Sequence, residues 1–242
     1  METALLAWYG EHARDLPWRG TRDPYAILVS EVMLQQTQVA RVVPRYEAWL
    51  ARWPTVEALA DVSAADVIRA WQGLGYNRRA LNLHRAARHV AANGWPEDLT
   101  ELPGVGRYTA DAVARFAYDL DVLPVDTNVR RVLDRTGEPF GPDAAHALMD
   151  LGATICLARI PRCAACPLAE RCPSRGKTYA PLRKQSRFEG SFRQRRAQTL
   201  RLVTEEPRHT AELDGDAVEA LRKDGFLVLE GNRVELANFS PS

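Results

Sequence analysis

All four cysteines of the chain fall within one seventeen-residue run, "CLARIPRCAACPLAERC", with the spacing C-x6-C-x2-C-x5-C from Cys156 through Cys163 and Cys166 to Cys172. So short a loop, shaped by Pro161 and Pro167, can bring four thiolates to one centre. Both a tetrahedral zinc ion and a cubane iron–sulfur cluster accept that donor set, and spacing alone does not choose between them. Disulfides are the competing use of cysteine. The first fifteen residues, however, carry Glu2, Glu11, His12, Arg14 and Asp15, which a secretory signal does not tolerate. A cytoplasmic location is the expectation. No apolar run approaches the length of a membrane span, so no membrane partner is expected.

The 242 residues leave room for one large domain or two modest ones. From Thr3 to about Ala180 the pattern is helical throughout, in short amphipathic segments broken by Pro or Gly, with Asp61 and Ser63 as candidate caps. Beyond that the character changes. "SFRQRRAQTLRLVTEE" and "DAVEALRKDG" read as helices, and "FLVLEGNRVELA" reads as a two-stranded hairpin turning at Gly231-Asn232. Helices followed by a hairpin suggest a small winged-helix-like module, serving either as a cap on the main body or as a second DNA-binding unit. The basic residues favour Arg heavily: only Lys177, Lys184 and Lys223 are lysines among 32 basic residues. Nine of the 32 lie between Ser174 and Arg201 against the single acid Glu189, a run that reads as a solvated linker or a nucleic-acid contact.

A carboxylate sits where apolar residues belong. In "YAILVSEVML", Ile27, Leu28, Glu31 and Leu34 share one face of a helix, so Glu31 points toward the core. Burying an unpaired carboxylate is costly and favours its neutral form. Glu31 is therefore either held by a distant Arg or placed as an acid at the floor of a pocket, with Gln35 and Gln36 at its mouth. Further on, "LPGVGRYTADAV" puts Gly104, Val105 and Gly106 between two helices, ahead of Arg107. Glycines let backbone amides face outward, and amides at a helix start bind anions such as a DNA phosphate. In "LPVDTNVRRVLDR", Asp126 precedes a helix starting at Thr127 or Asn128. Capping is its ordinary role, and a capped, ionised Asp also suits a cationic transition state.

Glu31 in "SEVMLQQTQV", the "LPGVG…TA" hairpin, Asp126 in "PVDTNVRRV" and the cysteine pattern occur in one order. Together they resemble the helix–hairpin–helix DNA glycosylases of the endonuclease III superfamily over roughly residues 1 to 175. "LPWRGTRDPYAILVSEVMLQQTQV" and "GLGYNRRALNLH" are similar to its MutY branch of adenine glycosylases. The resemblance implies an all-α fold of two lobes holding double-stranded DNA in their cleft, followed here by a small winged-helix-like α+β tail. It implies an N-terminal helix (1–17) that packs with the cluster lobe, a helical barrel lobe (18–125) and an iron–sulfur cluster lobe (126–175). A basic linker (176–190) and the tail (191–242) complete the expected domains. The four cysteines would then hold a 4Fe–4S cluster.

The resemblance also assigns roles. Such enzymes flip the target base out of the stack into a pocket. Glu31 would protonate the departing base and help activate water, and Asp126 would stabilise the oxocarbenium-like sugar. Gln35, Gln36, Thr37, Tyr76 and the hairpin residues Gly104 to Arg107 would contact DNA, with Gln36 as intercalator and Tyr76 wedged beside the opposing base. Bifunctional relatives carry a Schiff-base lysine where this chain has Tyr108, and no lysine precedes Lys177. A monomeric, monofunctional glycosylase with little or no lyase activity is expected, nucleoid-associated in the cytoplasm. Trp18, Arg19, Leu34 and Val39 match the MutY base pocket, but His146 stands where Gln or Glu is usual. The connection through 135–146 is shorter than in MutY, and the tail does not resemble the β-rich domain that inspects 8-oxoguanine. Adenine opposite guanine or 8-oxoguanine is the expected target. Thymine or uracil opposite guanine is the alternative, and a non-catalytic DNA-binding protein a third reading, disfavoured by the intact Glu31/Asp126 pair.

Overall fold

The computed structural model describes residues 1–180 and 187–238. Part of the basic linker expected at 176–190 and the end of the tail lie outside these residues. The described chain is mostly helical, with one small antiparallel sheet near its C-terminal end. Among the described residues no helix is long and apolar enough to cross a membrane. The chain divides into two compact units, Met1–Leu28 with Val105–Lys184 and Val29–Gly104 with Gln185–Ser242. The helix α2 (Pro24–Leu34) carries one of the boundaries. It is buried on every face from residue 25 to residue 33, not on one stripe as its periodicity suggests. Burial on every face marks an interior helix, and it encloses Ser30 and Glu31 together with the apolar residues.

The first unit contains α1 (Glu2–His12), α7 (Arg107–Tyr118), α8 (Thr127–Thr136) and α9 (Ala145–Thr154), then the cysteine loop. Its core joins Leu5 of α1, Val129 and Val132 of α8, Leu148 and Leu151 of α9, and Leu168 beyond Cys166. Each such side chain contributes about 1.5–3 kcal/mol when removed from water. Gly152 permits the close crossing of α8 and α9: a Cβ there would lie 2.8 Å from Asn128 Cβ and 3.0 Å from the Asn128 carbonyl oxygen.

The second unit contains α3 (Val39–Arg52), α4 (Val56–Ala60), α5 (Ala64–Ala70) and α6 (Arg78–Asn93). The tail adds α10 (Phe192–Glu205), β1 (Arg208–His209), α11 (Gly215–Lys223), β2 (Leu227–Glu230) and β3 (Arg233–Leu236). Ser63 caps α5, accepting from the Asp66 amide, whereas Asp61 stands at the C-terminal end of α4, whose start Thr55 caps. Trp49 packs edge-on against Trp53 and Trp71, with ring centroids 4.6 and 5.5 Å apart. The hairpin turns at Gly231-Asn232 as expected, pairing Glu230 with Arg233 and Leu227 with Leu236. A third strand, β1, joins the other edge of β3, giving the order β1-β3-β2. Two residues are too few for alternation to announce a strand. Among the described residues the tail packs on the helices before it: Leu200, Val203, Leu221, Phe226 and Val234 share one cluster with Ala64, Ile68 and Leu81 of α5 and α6.

Candidate functional site

In the second unit the candidate residues Glu31, Leu34, Gln35, Gln36, Thr37, Val39 and Tyr76 lie in and just after α2 and in the turn before α6. Glu31 is 6% exposed. Leu34, Gln35, Thr37 and Val39 are half-buried, and Gln36 is exposed. Gln36 adopts a φ of 56° and Tyr76 a φ of 46°, left-handed values that side chains with a Cβ resist. What holds both is Arg79. Its Nη1 donates to the carbonyls of Val32 (2.7 Å), Met33 (3.0 Å) and Gln35 (2.7 Å). Its Nη2 donates to Thr37 Oγ1 (3.1 Å) and to the carbonyls of Leu74 (3.1 Å) and Gly75 (3.0 Å). One guanidinium thus ends α2 and ties the glutamine loop to the "GLGY" turn. Burial lowers the Arg79 pKa to about 10, which leaves it charged at neutral pH. No local pattern gives Arg79 a role, because its partners are up to 47 positions away.

The hairpin glycines prove unequal. Gly104 has φ +79°, and a Cβ there would meet Asn82 Cβ at 2.7 Å, so only glycine fits. Gly106 begins α7 with open space where a Cβ would be. Val105 is buried, and Arg107 pairs along its own helix with Asp111 at 2.9 Å. Tyr108 is half-buried in the first turn of α7.

In the first unit Asp126 caps α8. Its Oδ1 accepts the main-chain N–H of Asn128 (2.9 Å) and Val129 (2.6 Å), and its Oδ2 accepts Asn128 Nδ2 (2.9 Å). Asn128 Oδ1 in turn accepts from Arg131 Nη2 at 2.7 Å, and Arg131 reaches the carbonyls of Gly152 and Cys156, also at 2.7 Å. A run of hydrogen bonds therefore connects the Asp126 carboxylate to the first cysteine.

Trp18, Arg19 and His146 line one cavity of about 220 Å3. Leu34 and Val39 belong to the other unit. His146 stacks on Phe116 with centroids 4.1 Å apart. Burial first, and then the nearby Arg19, push its pKa down to about 4, so the imidazole is neutral near pH 7. Arg19 is fixed by Asp150, a wholly buried carboxylate, through bonds of 2.8 and 2.5 Å. Arg14 completes the triad through its main-chain N–H (3.0 Å) and Nε (2.6 Å). Although burial pushes the Asp150 pKa upward, its bonds to Arg19 and Arg14 hold it below the ordinary carboxylate value. Asp150 was missed in the sequence, yet an acid inside "ALMDLGATIC" carries the same signal as Glu31.

Cys156, Cys163, Cys166 and Cys172 line a single cavity. None is in a disulfide. Two N–H groups point at the sulfurs: Arg135 Nη1 donates to Cys156 Sγ and the Gly176 amide to Cys163 Sγ, both at 3.4 Å. Burial, and then its three cysteine neighbours, raise the Cys166 thiol above its ordinary value, against the pull of the Leu168 amide. Among the described residues no three His, Cys, Asp or Glu side chains are grouped so as to hold one metal ion.

Residues 29–148 match the family model described as HhH-GPD superfamily base excision DNA repair protein. An adenine DNA glycosylase of Mycobacterium tuberculosis (strain CDC 1551 / Oshkosh) is 45% identical over 250 residues, covering 88% of this chain and 82% of its own length. The human adenine DNA glycosylase is 39% identical over 211 residues, covering 71% of this chain and 39% of its own. Among solved structures, a thermostable thymine-DNA glycosylase superposes with a TM-score of 0.64 at 28% identity, covering 71% of this chain and 93% of that one. A trapped endonuclease III–DNA covalent intermediate superposes with a TM-score of 0.60 at 22% identity, covering 71% and 92%, a likeness of fold alone.

Proposed function

The chain belongs to the HhH-GPD superfamily of base excision DNA repair proteins, and from that premise we propose that it is a monofunctional DNA glycosylase that removes adenine mispaired with guanine or 8-oxoguanine. The observation that carries the reading is Asp126. Three N–H donors converge on its carboxylate at the start of α8, where the helix dipole also favours a negative charge. A fixed negative group is what a developing oxocarbenium sugar requires. Glu31 supplies the proton. Burying a carboxylate costs more than burying the neutral acid, so a carboxyl in its enclosed position suits proton delivery. As the bond between C1′ and the purine nitrogen breaks, its electron pair leaves with the base and the Glu31 proton neutralises it. Water then adds to C1′, returns a proton to Glu31 and leaves an abasic site.

Tyr108 offers no amine where bifunctional relatives would form a Schiff base, which supports hydrolysis without strand cleavage. Cys156, Cys163, Cys166 and Cys172 would hold a 4Fe–4S cluster, with the Arg135 and Gly176 N–H groups tuning its ligand sulfurs. When bound, the cluster would order the loop that carries these cysteines for contact with a phosphate, and no step of the bond cleavage runs through it.

The test is release of free adenine from A:8-oxoG and A:G duplexes under single-turnover conditions. Glu31→Gln and Asp126→Asn are each expected to slow release by about 10^3-fold or more. Release at the wild-type rate by both variants would refute the assignment. His146 stacked on Phe116 favours a second reading, because an imidazole presents a different donor and acceptor pattern from the Gln or Glu usual in MutY proteins. On that reading T:G and U:G duplexes are cleaved in preference to A:G, which the same assay decides.

A further inference from the structure

The second unit holds a cavity of about 930 Å3, within the range of small-ligand sites and ample for one nucleotide. One wall carries Gln36 and Tyr76, the two non-glycine residues of this unit with left-handed backbone among the described residues. Another part of the lining comes from the tail: Phe188 ahead of α10, and Phe192, Arg193 and Arg196 along its first turns. Tyr76 is 52% exposed, Phe188 51% and Phe192 40%. They are the exposed large aromatics of this unit among the described residues, and all three line this one cavity.

Charge is arranged around the rings. Arg193 stands over the Phe188 ring at 6.0 Å, and Arg195 over Phe192 at 5.2 Å. Five arginines line the cavity against one carboxylate, Asp224, which itself accepts from Arg78 and Arg196. The two arginines thereby fasten α10 and the end of α11 to the start of α6, making the tail a fixed wall. Exposed rings interleaved with guanidinium groups recognise unstacked bases on a polyanionic strand, since each base offers a π-face and each phosphate a charge.

We propose that this cavity receives the nucleotide opposite the excised base, unstacked from its own strand, with Phe188 and Phe192 as its stacking wall and Arg193 on its phosphate. The proposal rests on the glycosylase reading above and assigns the tail a part in reading the opposing strand.

The test uses the full chain and a duplex carrying the fluorescent purine 2-aminopurine opposite the target adenine. Wild-type binding should change the probe's emission. Phe188→Ala/Phe192→Ala should abolish that change and weaken duplex binding by about 10-fold. Arg193→Glu, at an exposed position, should weaken binding and reduce its salt dependence by about one phosphate contact. An emission change that survives in both variants, or a probe silent with the wild-type chain, overturns the proposal. Emission is read on binding and needs no excision. Adenine release with a silent probe therefore overturns this proposal and leaves the glycosylase reading standing, whereas a chain that moves the probe yet releases no base refutes the glycosylase reading and, with it, the identity of this nucleotide as the partner of an excised base.

Discussion

Arg19 in the first unit and Arg79 in the second are both arginines drawn into the protein, and their terminal nitrogens find different main partners, although Arg19 Nη1 also donates to the Arg14 carbonyl and Arg79 Nε stays buried without a partner among the described residues. Arg19 meets a carboxylate, Asp150, that is itself shared with Arg14. Arg79 spreads its charge over five carbonyl oxygens and one hydroxyl. The first arrangement fixes a single side chain beside His146. The second fixes the backbone of two loops at once and keeps Gln36 and Tyr76 in conformations they would not adopt alone. Carboxylates place a side chain, whereas carbonyls let one side chain shape a fold.

Removing the negative partner should produce the largest effect. Asp150→Asn leaves two guanidinium groups beside a buried neutral amide, and a cost of about 3–5 kcal/mol is expected in urea unfolding. The wild-type Asp150 pKa lies below its unfolded value. Its contribution is therefore present above the unfolded pKa of about 3.9 and disappears as pH falls through the lower folded value. Stability of the Asp150→Asn chain should lack that part of the acid dependence. A variant as stable as wild type would break the comparison, because the charge pair would then not be what holds Arg19.

Arg79→Lys keeps the charge but loses the planar fork, and a lysine cannot reach two loops at once. A loss of about 2–3 kcal/mol is expected. Hydrogen exchange should quicken selectively at residues 35–37 and 74–76. Uniform exchange across the second unit would mean that packing, not the guanidinium, fixes the loops.

Arg135 sharpens the contrast, being a carbonyl-satisfied arginine in the first unit. It donates to the Leu157 and Ala158 carbonyls, both at 2.8 Å, and lies 3.9 Å from the centroid of the Tyr179 ring. With fewer oxygens to lose, Arg135→Lys should cost about 1–2 kcal/mol in urea unfolding. A loss exceeding that of Arg79→Lys would show that the number of carbonyls bridged does not set the size of the effect.

The sequence made legible whatever depends on near neighbours. Asp126 could be read as a cap because its partners Asn128 and Val129 lie two and three residues on. The hairpin at Gly231-Asn232 and the gathering of four cysteines are short-range for the same reason. The Arg14–Asp150 bond spans 136 positions, and no local pattern announces it. The same holds for His146 on Phe116, where the residue could be singled out but its stacking partner could not. Gly104 and Gly106 looked alike in "PGVG", and only the position of Asn82 separates the required glycine from the tolerated one.

The shared core of α5, α6 and the tail has a consequence for synthesis. Ala64, Ile68 and Leu81 leave the ribosome more than a hundred residues ahead of Leu200, Phe226 and Val234, the side chains that cover them. During that interval the nascent chain carries an uncovered greasy surface, a natural landing place for a chaperone. A premature stop near residue 190 would leave that surface permanently bare, turning a small truncation into a species prone to aggregate.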